Sequence, residues 1–120
     1  MQLHQAMLYV KDLERAAHFY EELLGLEANP DTRTDKWVEF PGLSLHAIPD
    51  HIADEIDITD PPEPREDYPV KLIFAVDNVE FEFERLSALG VEVQMRPWGA
   101  CDVLDPEGNI LQISLLPLAE

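Results

Sequence analysis

The chain has 120 residues, 46% of them apolar, with one cysteine and 25 acidic against 8 basic side chains, for a formal net charge of −17. That length suits one compact core and excludes two full-size domains, while Cys101 alone excludes an intramolecular disulfide or a CxxC motif. So acidic a chain repels phosphate backbones and anionic membranes, and with no leader pattern and no apolar run of about 18 residues it reads as cytoplasmic, with neither nucleic acid nor membrane as a partner.

Leu3 to Val10 alternates as a strand, with Ala6, Leu8 and Val10 on one face and Gln5, Met7 and Tyr9 on the other. Asp12 is placed to cap a helix that carries Leu13, Ala16, Ala17, Tyr20, Leu23 and Leu24 on one stripe and stops at Gly25. Strand-like runs follow at Leu26–Ala28, Lys36–Phe40 and Leu43–Ile48, with turn residues at Asn29-Pro30 and Pro41-Gly42. His51 to Pro69 holds acidic residues and prolines with no stripe to bury, and reads as an exposed linker. Val70–Val76 is then a strand, Asn78 caps a helix through Val79, Phe83, Leu86 and Leu89, and strands are predicted at Val91–Met95, Cys101–Leu104 and Ile110–Leu115.

The order β-α-β-β-β thus occurs twice, and an offset of 66 residues superposes Val10 on Val76, Asp12 on Asn78, Gly42 on Gly108 and Leu45 on Leu111. The fold class predicted is α+β: one domain, residues 1–120, of two tandem βαβββ modules (about 1–50 and 70–116, with 51–69 as linker). Their curved mixed sheet would surround a cavity, with the helices outside.

Strand parity then points to a site. Gln5, Met7 and Tyr9 share a non-helix face with Ser44, His46 and Ile48; Lys71, Ile73 and Ala75 share the corresponding face with Ile110, Gln112 and Ser114. The offset pairs Gln5 with Lys71 and His46 with Gln112, four hydrogen-bonding side chains expected to converge between the half-sheets. Met7, Tyr9, Trp37, Ile48, Ile73, Met95 and Trp98 are apolar or aromatic candidates for the same pocket, with Arg96 at its rim. His4, His18 and His51 read as surface or terminal histidines, and Cys101 as a buried thiol without an activating partner. Lys71 is either a pocket cation or the internal partner of an acid such as Glu39.

Several blocks resemble the vicinal oxygen chelate superfamily, the glyoxalase/bleomycin resistance/dioxygenase group: Met7 to Arg15 with Phe19-Tyr20 and Leu24-Gly25, Phe74 to Val79, Leu89 to Val93, and above all Asp105-Pro106-Glu107-Gly108-Asn109-Ile110-Leu111-Gln112. The resemblance covers essentially the whole chain. It implies the paired βαβββ fold, often a homodimer, and functions from metal-dependent isomerases, lyases and dioxygenases to proteins that sequester a drug. By position it places metal ligands at Gln5, His46, Lys71 and Gln112. A lysine ammonium there repels a divalent cation, and only His46 is a strong ligand. The expectation is therefore a protein without a conventional metal centre or other cofactor that binds a small organic molecule through Gln5, Met7, Tyr9, Trp37, His46, Lys71, Trp98 and Gln112. The alternative is an enzyme of lyase, isomerase or dioxygenase type. It would use a divalent metal on Gln5, His46 and Gln112, or metal-free acid–base chemistry by His46 and Lys71.

Overall fold

The computed structural model describes residues 1–56, 63–66 and 69–115. The chain divides into two compact units, Met1–Glu63 and Pro64–Glu120, and both are α+β.

In the first unit, β1 (Ala6–Val10) leads into α1 (Leu13–His18), then β2 (Trp37–Phe40), β3 (Leu43–Ala47) and α2 (Asp50–Glu55). The sheet order is β1-β3-β2, with β1 parallel and β2 antiparallel to β3. The Asp12 side chain caps α1 by accepting from Arg15 N at 3.1 Å, as its position predicts. Past His18 the helix widens over Phe19–Leu23, where Leu24 N donates to Phe19 O five residues back. Phe19 and Tyr20 are buried there, edge to face at 5.2 Å. Leu26–Ala28, predicted as a strand, forms no ladder. Its remnant is one bond from Asn29 N to Glu39 O at 2.8 Å, because Asn29 turns back through its own Oδ1 to Asp31 N and Pro30 has no N–H to continue the pairing. The acidic segment predicted as a linker also differs in its first turns: Pro49, in extended conformation, precedes α2, which fully buries Ala53. Residues 57–62 and 67–68 of that segment lie outside the described residues.

The second unit repeats the plan with β4 (Ile73–Val76), α3 (Val79–Ala88), β5 (Val93–Met95), β6 (Cys101–Leu104) and β7 (Ile110–Leu115), in sheet order β4-β7-β6-β5. Asn78 caps α3 by accepting from Phe81 N at 2.9 Å, 66 residues after Asp12. In each unit the helix covers one face of the sheet. The first core contains Val10, Leu13, Ala16, Tyr20, Val38, Phe40 and Leu45; the second contains Val79, Leu86, Cys101, Val103, Leu111 and Ile113. Among the described residues no helix is long and apolar enough to cross a membrane.

The turns before the last strands differ, and this shifts the repeat. Pro41-Gly42 closes β2 onto β3 in a tight turn, with Phe40 opposite Leu43 and Gly42 at φ 78°, the left-handed position a Pro-Gly turn requires. Between β6 and β7 the chain makes a longer turn built on Asp105. One carboxylate oxygen accepts from Glu107 N (2.9 Å) and Asn109 N (2.8 Å), and the other accepts from Asn109 Nδ2 (2.9 Å). Measured from the equivalent strands β1 and β4, Ser44 faces Met7 whereas Gln112 faces Ile73. The last strands are therefore related by 68 residues, not 66: Gln112 corresponds to Ser44, Ser114 to His46, and Ile113 to Leu45. The even slip preserves the predicted faces and corrects the predicted partners.

Asp105→Ala removes the acceptor of three N–H groups, two of the backbone and one of the Asn109 side chain, from a turn in which Asp105, Glu107 and Asn109 are buried. The expected outcome is a loss of about 1–3 kcal/mol in chemical unfolding, with the urea m-value unchanged.

Candidate functional site

Because each unit has its core helix on one side only, the opposite face of each sheet is where side chains are free to meet a ligand. On the first unit's open face, Tyr9, His46 and Trp37 stand side by side on β1, β3 and β2. The Tyr9 and His46 rings are 5.9 Å apart and tilted by 40°; Trp37 and His46 are 5.7 Å apart at 61°. The next row is Met7, Ser44 and Glu39. Met7 is 40% and Tyr9 44% exposed, so this surface remains open in the folded chain. Ser44 is fully buried, and its hydroxyl has no hydrogen-bond partner among the described residues. Gln5, just before β1, lines a cleft of about 410 Å³ together with His4, Glu27, Asn29 and Glu39.

The second unit's open face carries charge. Ile73, Gln112, Asp102 and Gln94 form one row across β4, β7, β6 and β5. Asp102 Oδ1 accepts from Lys71 Nζ at 2.8 Å, and Oδ2 from Arg96 Nε at 2.8 Å. The Asp102 side chain is 10% exposed, against 36% and 33% for the two cations. Burial alone would push this carboxyl up. The hydrogen bonds and charges of Lys71 and Arg96 outweigh that effect and hold it below the ordinary carboxylate range. Lys71 thus has an acidic partner, but it is Asp102; Glu39 instead accepts from Thr32 Oγ1 at 3.3 Å. Gln112 donates its amide to Ser114 Oγ at 2.8 Å. A cleft of about 430 Å³ adjoins this cluster, lined by Gln94, Arg96, Asp102, Leu104, Ile110 and Glu66 among others.

The structure brings Met7, Tyr9, Trp37 and His46 together on one face, and Lys71 and Gln112 on the other unit's face. Trp98 stands apart, 64% exposed at the tip of the β5–β6 hairpin. Met95 pairs with Cys101, which pairs with Ile113, and so belongs to the helix side rather than to a pocket. Cys101 is fully buried; burial first, then the charges of Asp102 and Glu82, push its thiol up and away from nucleophilic use. His4, His18 and His51 are exposed. Asp102 is the functional candidate that strand parity did not single out, because its place opposite Gln112 depends on the register set by the Asp105 turn.

Within each unit taken by itself, the positions that the resemblance assigns to metal ligands do not gather around one point. Gln5 precedes β1 and lies four residues before Tyr9, the strand position opposite His46, a span of up to about 13 Å of extended chain. On the second unit the carboxylate nearest Gln112 already holds two cations. Among the described residues, no three His, Cys, Asp or Glu side chains gather closely enough to hold a metal.

The family model "Glyoxalase/Bleomycin resistance protein/Dioxygenase superfamily" matches residues 2–113. No curated protein is significantly similar to the chain. Among solved structures, a glyoxalase/bleomycin resistance protein/dioxygenase family enzyme from Burkholderia phytofirmans PsJN aligns at 18% identity and TM-score 0.71, over 97% of this chain and 100% of that one. Lactoylglutathione lyase from Agrobacterium tumefaciens aligns at 25% identity and TM-score 0.58, over 93% and 91%. TnmS3, an antibiotic binding protein from Streptomyces sp. CB03234, aligns at 21% identity and TM-score 0.58, over 93% and 95%.

Asp102→Asn leaves Lys71 and Arg96 without a counter-charge and is expected to lower stability by about 1–2 kcal/mol at neutral pH, discounted for the exposure of both cations. Since the folded-state pKa is depressed, this stability is present above the unfolded value near 4 and is lost as pH falls through the folded value. Urea unfolding at pH 7 and near pH 3 should show the gap between wild type and variant closing in acid.

Proposed function

The chain belongs to the Glyoxalase/Bleomycin resistance protein/Dioxygenase superfamily, and we propose that within it the protein binds a small organic molecule on the open face of its first sheet, without a resident metal ion. Membership does not choose between binding and catalysis, since relatives of this fold include both an antibiotic-binding protein and a lactoylglutathione lyase. The observation that carries the reading is the row of Tyr9, His46 and Trp37 beside Met7, with Tyr9 and Met7 exposed and His46 and Trp37 half-buried. Two aromatic rings and an imidazole held in contact supply flat apolar area at small entropic cost, together with polar tips for orientation. Lys71 supports binding over proton transfer: an ammonium seated on a carboxylate at 2.8 Å is arranged to act as a charge, and accepting a proton would require that pair to be given up first.

A thermal-shift screen of planar organic compounds is expected to give stabilising hits that quench tryptophan fluorescence. Trp37→Phe should abolish the quench and Trp98→Phe retain it, while Tyr9→Ala and His46→Ala weaken affinity by about tenfold. Hits indifferent to all three open-face substitutions would reject the reading. Elemental mass spectrometry after incubation with Mg, Mn, Fe(II), Ni or Zn and desalting should find no stoichiometric metal. One equivalent, lost in His46→Ala, would move the protein to the metal-dependent enzymes.

A further inference from the structure

Among the 8 basic residues of this chain, two converge on a single acid. Lys71, Arg96 and Asp102 together carry one positive charge in excess, on an open face, in a chain of net charge −17. Asp102 engages one N–H of the ammonium and the Nε–H of the guanidinium. Among the described residues neither cation has another partner, so the remaining N–H groups of Lys71 and both terminal nitrogens of Arg96 are available to a ligand. Both side chains are about one-third exposed, whereas the carboxylate that holds them is nearly covered; the acid fixes the cations from beneath and leaves their outer sides to solvent.

We propose that Lys71 and Arg96, positioned by Asp102, form a clamp for the carboxylate of a singly charged organic acid. This rests on the small-molecule reading above and adds the second unit's open face as a binding surface with its own ligand class. Planar carboxylates match the fork of a guanidinium, and an adjacent ammonium adds a second charge-assisted bond. The neighbouring cleft limits the charge that is accepted: Glu66 and Glu92 line it together with Arg96, so a second carboxylate on the ligand meets repulsion. The selected ligand is a monoanion, while the matched neutral amide, the amine and the dianion are disfavoured.

The test uses the full-length chain and four probes of similar shape, benzoate, benzamide, benzylamine and phthalate, titrated by calorimetry and by NMR of the Gln112 side-chain amide and the Arg96 Nε–H. Benzoate is expected to bind about tenfold or more tightly than the other three and to shift both signals. Lys71→Gln and Arg96→Gln should each abolish that preference. Lys71→Arg, which keeps the charge, should preserve it, whereas Arg96→Lys, which keeps the charge but loses the fork, should weaken it. Equal binding of benzoate and benzamide, or a preference for benzylamine or phthalate, overturns the clamp while leaving the small-molecule reading in place. Binding of none of the four also overturns it, and the thermal-shift screen then decides separately whether the aromatic face binds anything.

Discussion

Each unit of this protein has one core helix for its sheet, and that is the constraint from which the rest follows. A helix covers one face of three or four strands, so burial is concentrated there: Leu45, Val38 and Val10 in the first unit and Val103, Leu111 and Leu86 in the second are almost entirely out of water. Each such side chain contributes about 1.5–3 kcal/mol in transfer terms. The opposite face does not carry that demand. Its positions are free to hold aromatic and charged groups that would be costly in a core, and the sequence uses them so.

The two halves use that freedom differently, as is visible once their rows are aligned from the common caps Asp12 and Asn78. Where the first unit has Tyr9 and His46, the second has Ala75 and Ser114. Where the first has Gln5, Glu39 and Ser44, the second has Lys71, Asp102 and Gln112. One copy of the duplicated face has become aromatic and the other ionic. The shared carboxylate position shows how little separates the two: Glu39, without a lysine two residues before Met7, bonds to a loop threonine, whereas Asp102 gathers Lys71 and Arg96.

What was legible in the sequence is what depends on local physics. The N-caps, the apolar stripe of α1, the Pro41-Gly42 turn and the in–out alternation of the strands are short-range preferences and appear as read, whereas the α3 stripe buries Val79 and Leu86 but leaves Leu89, past the helix end, exposed. The face on which Tyr9, His46, Lys71 and Gln112 lie followed from parity alone. What required distances along the folded chain was not legible. The longer Asp105 turn moves the final strand by two residues, which a fixed offset of 66 cannot register, so His46 and Gln112 are not counterparts. The partner of Lys71 depends on the pairing of β6 with β7 and on side-chain reach, neither of which composition reveals. Leu26–Ala28 has the pattern of a strand but runs into Pro30, and α2 forms inside an acidic segment because Ala53 finds a covered position there.

The charge of the chain and the charge of its second open face pull in opposite directions, and distance decides between them. At physiological ionic strength the Debye length is about 8 Å, so acids far from Asp102 contribute little at that point, while Lys71 and Arg96 act at contact distance. A cationic ligand is favoured by the protein as a whole but meets two like charges at this cluster; an anionic one approaches against the overall field and gains only on arrival. Added salt weakens both the distant repulsion and the local attraction, but the partly buried local pair is screened less. Such an arrangement trades speed of encounter for discrimination at the site. In so acidic a protein, two of its few cations are gathered on one covered carboxylate, and any ligand discrimination of the kind proposed above rests on that one acid.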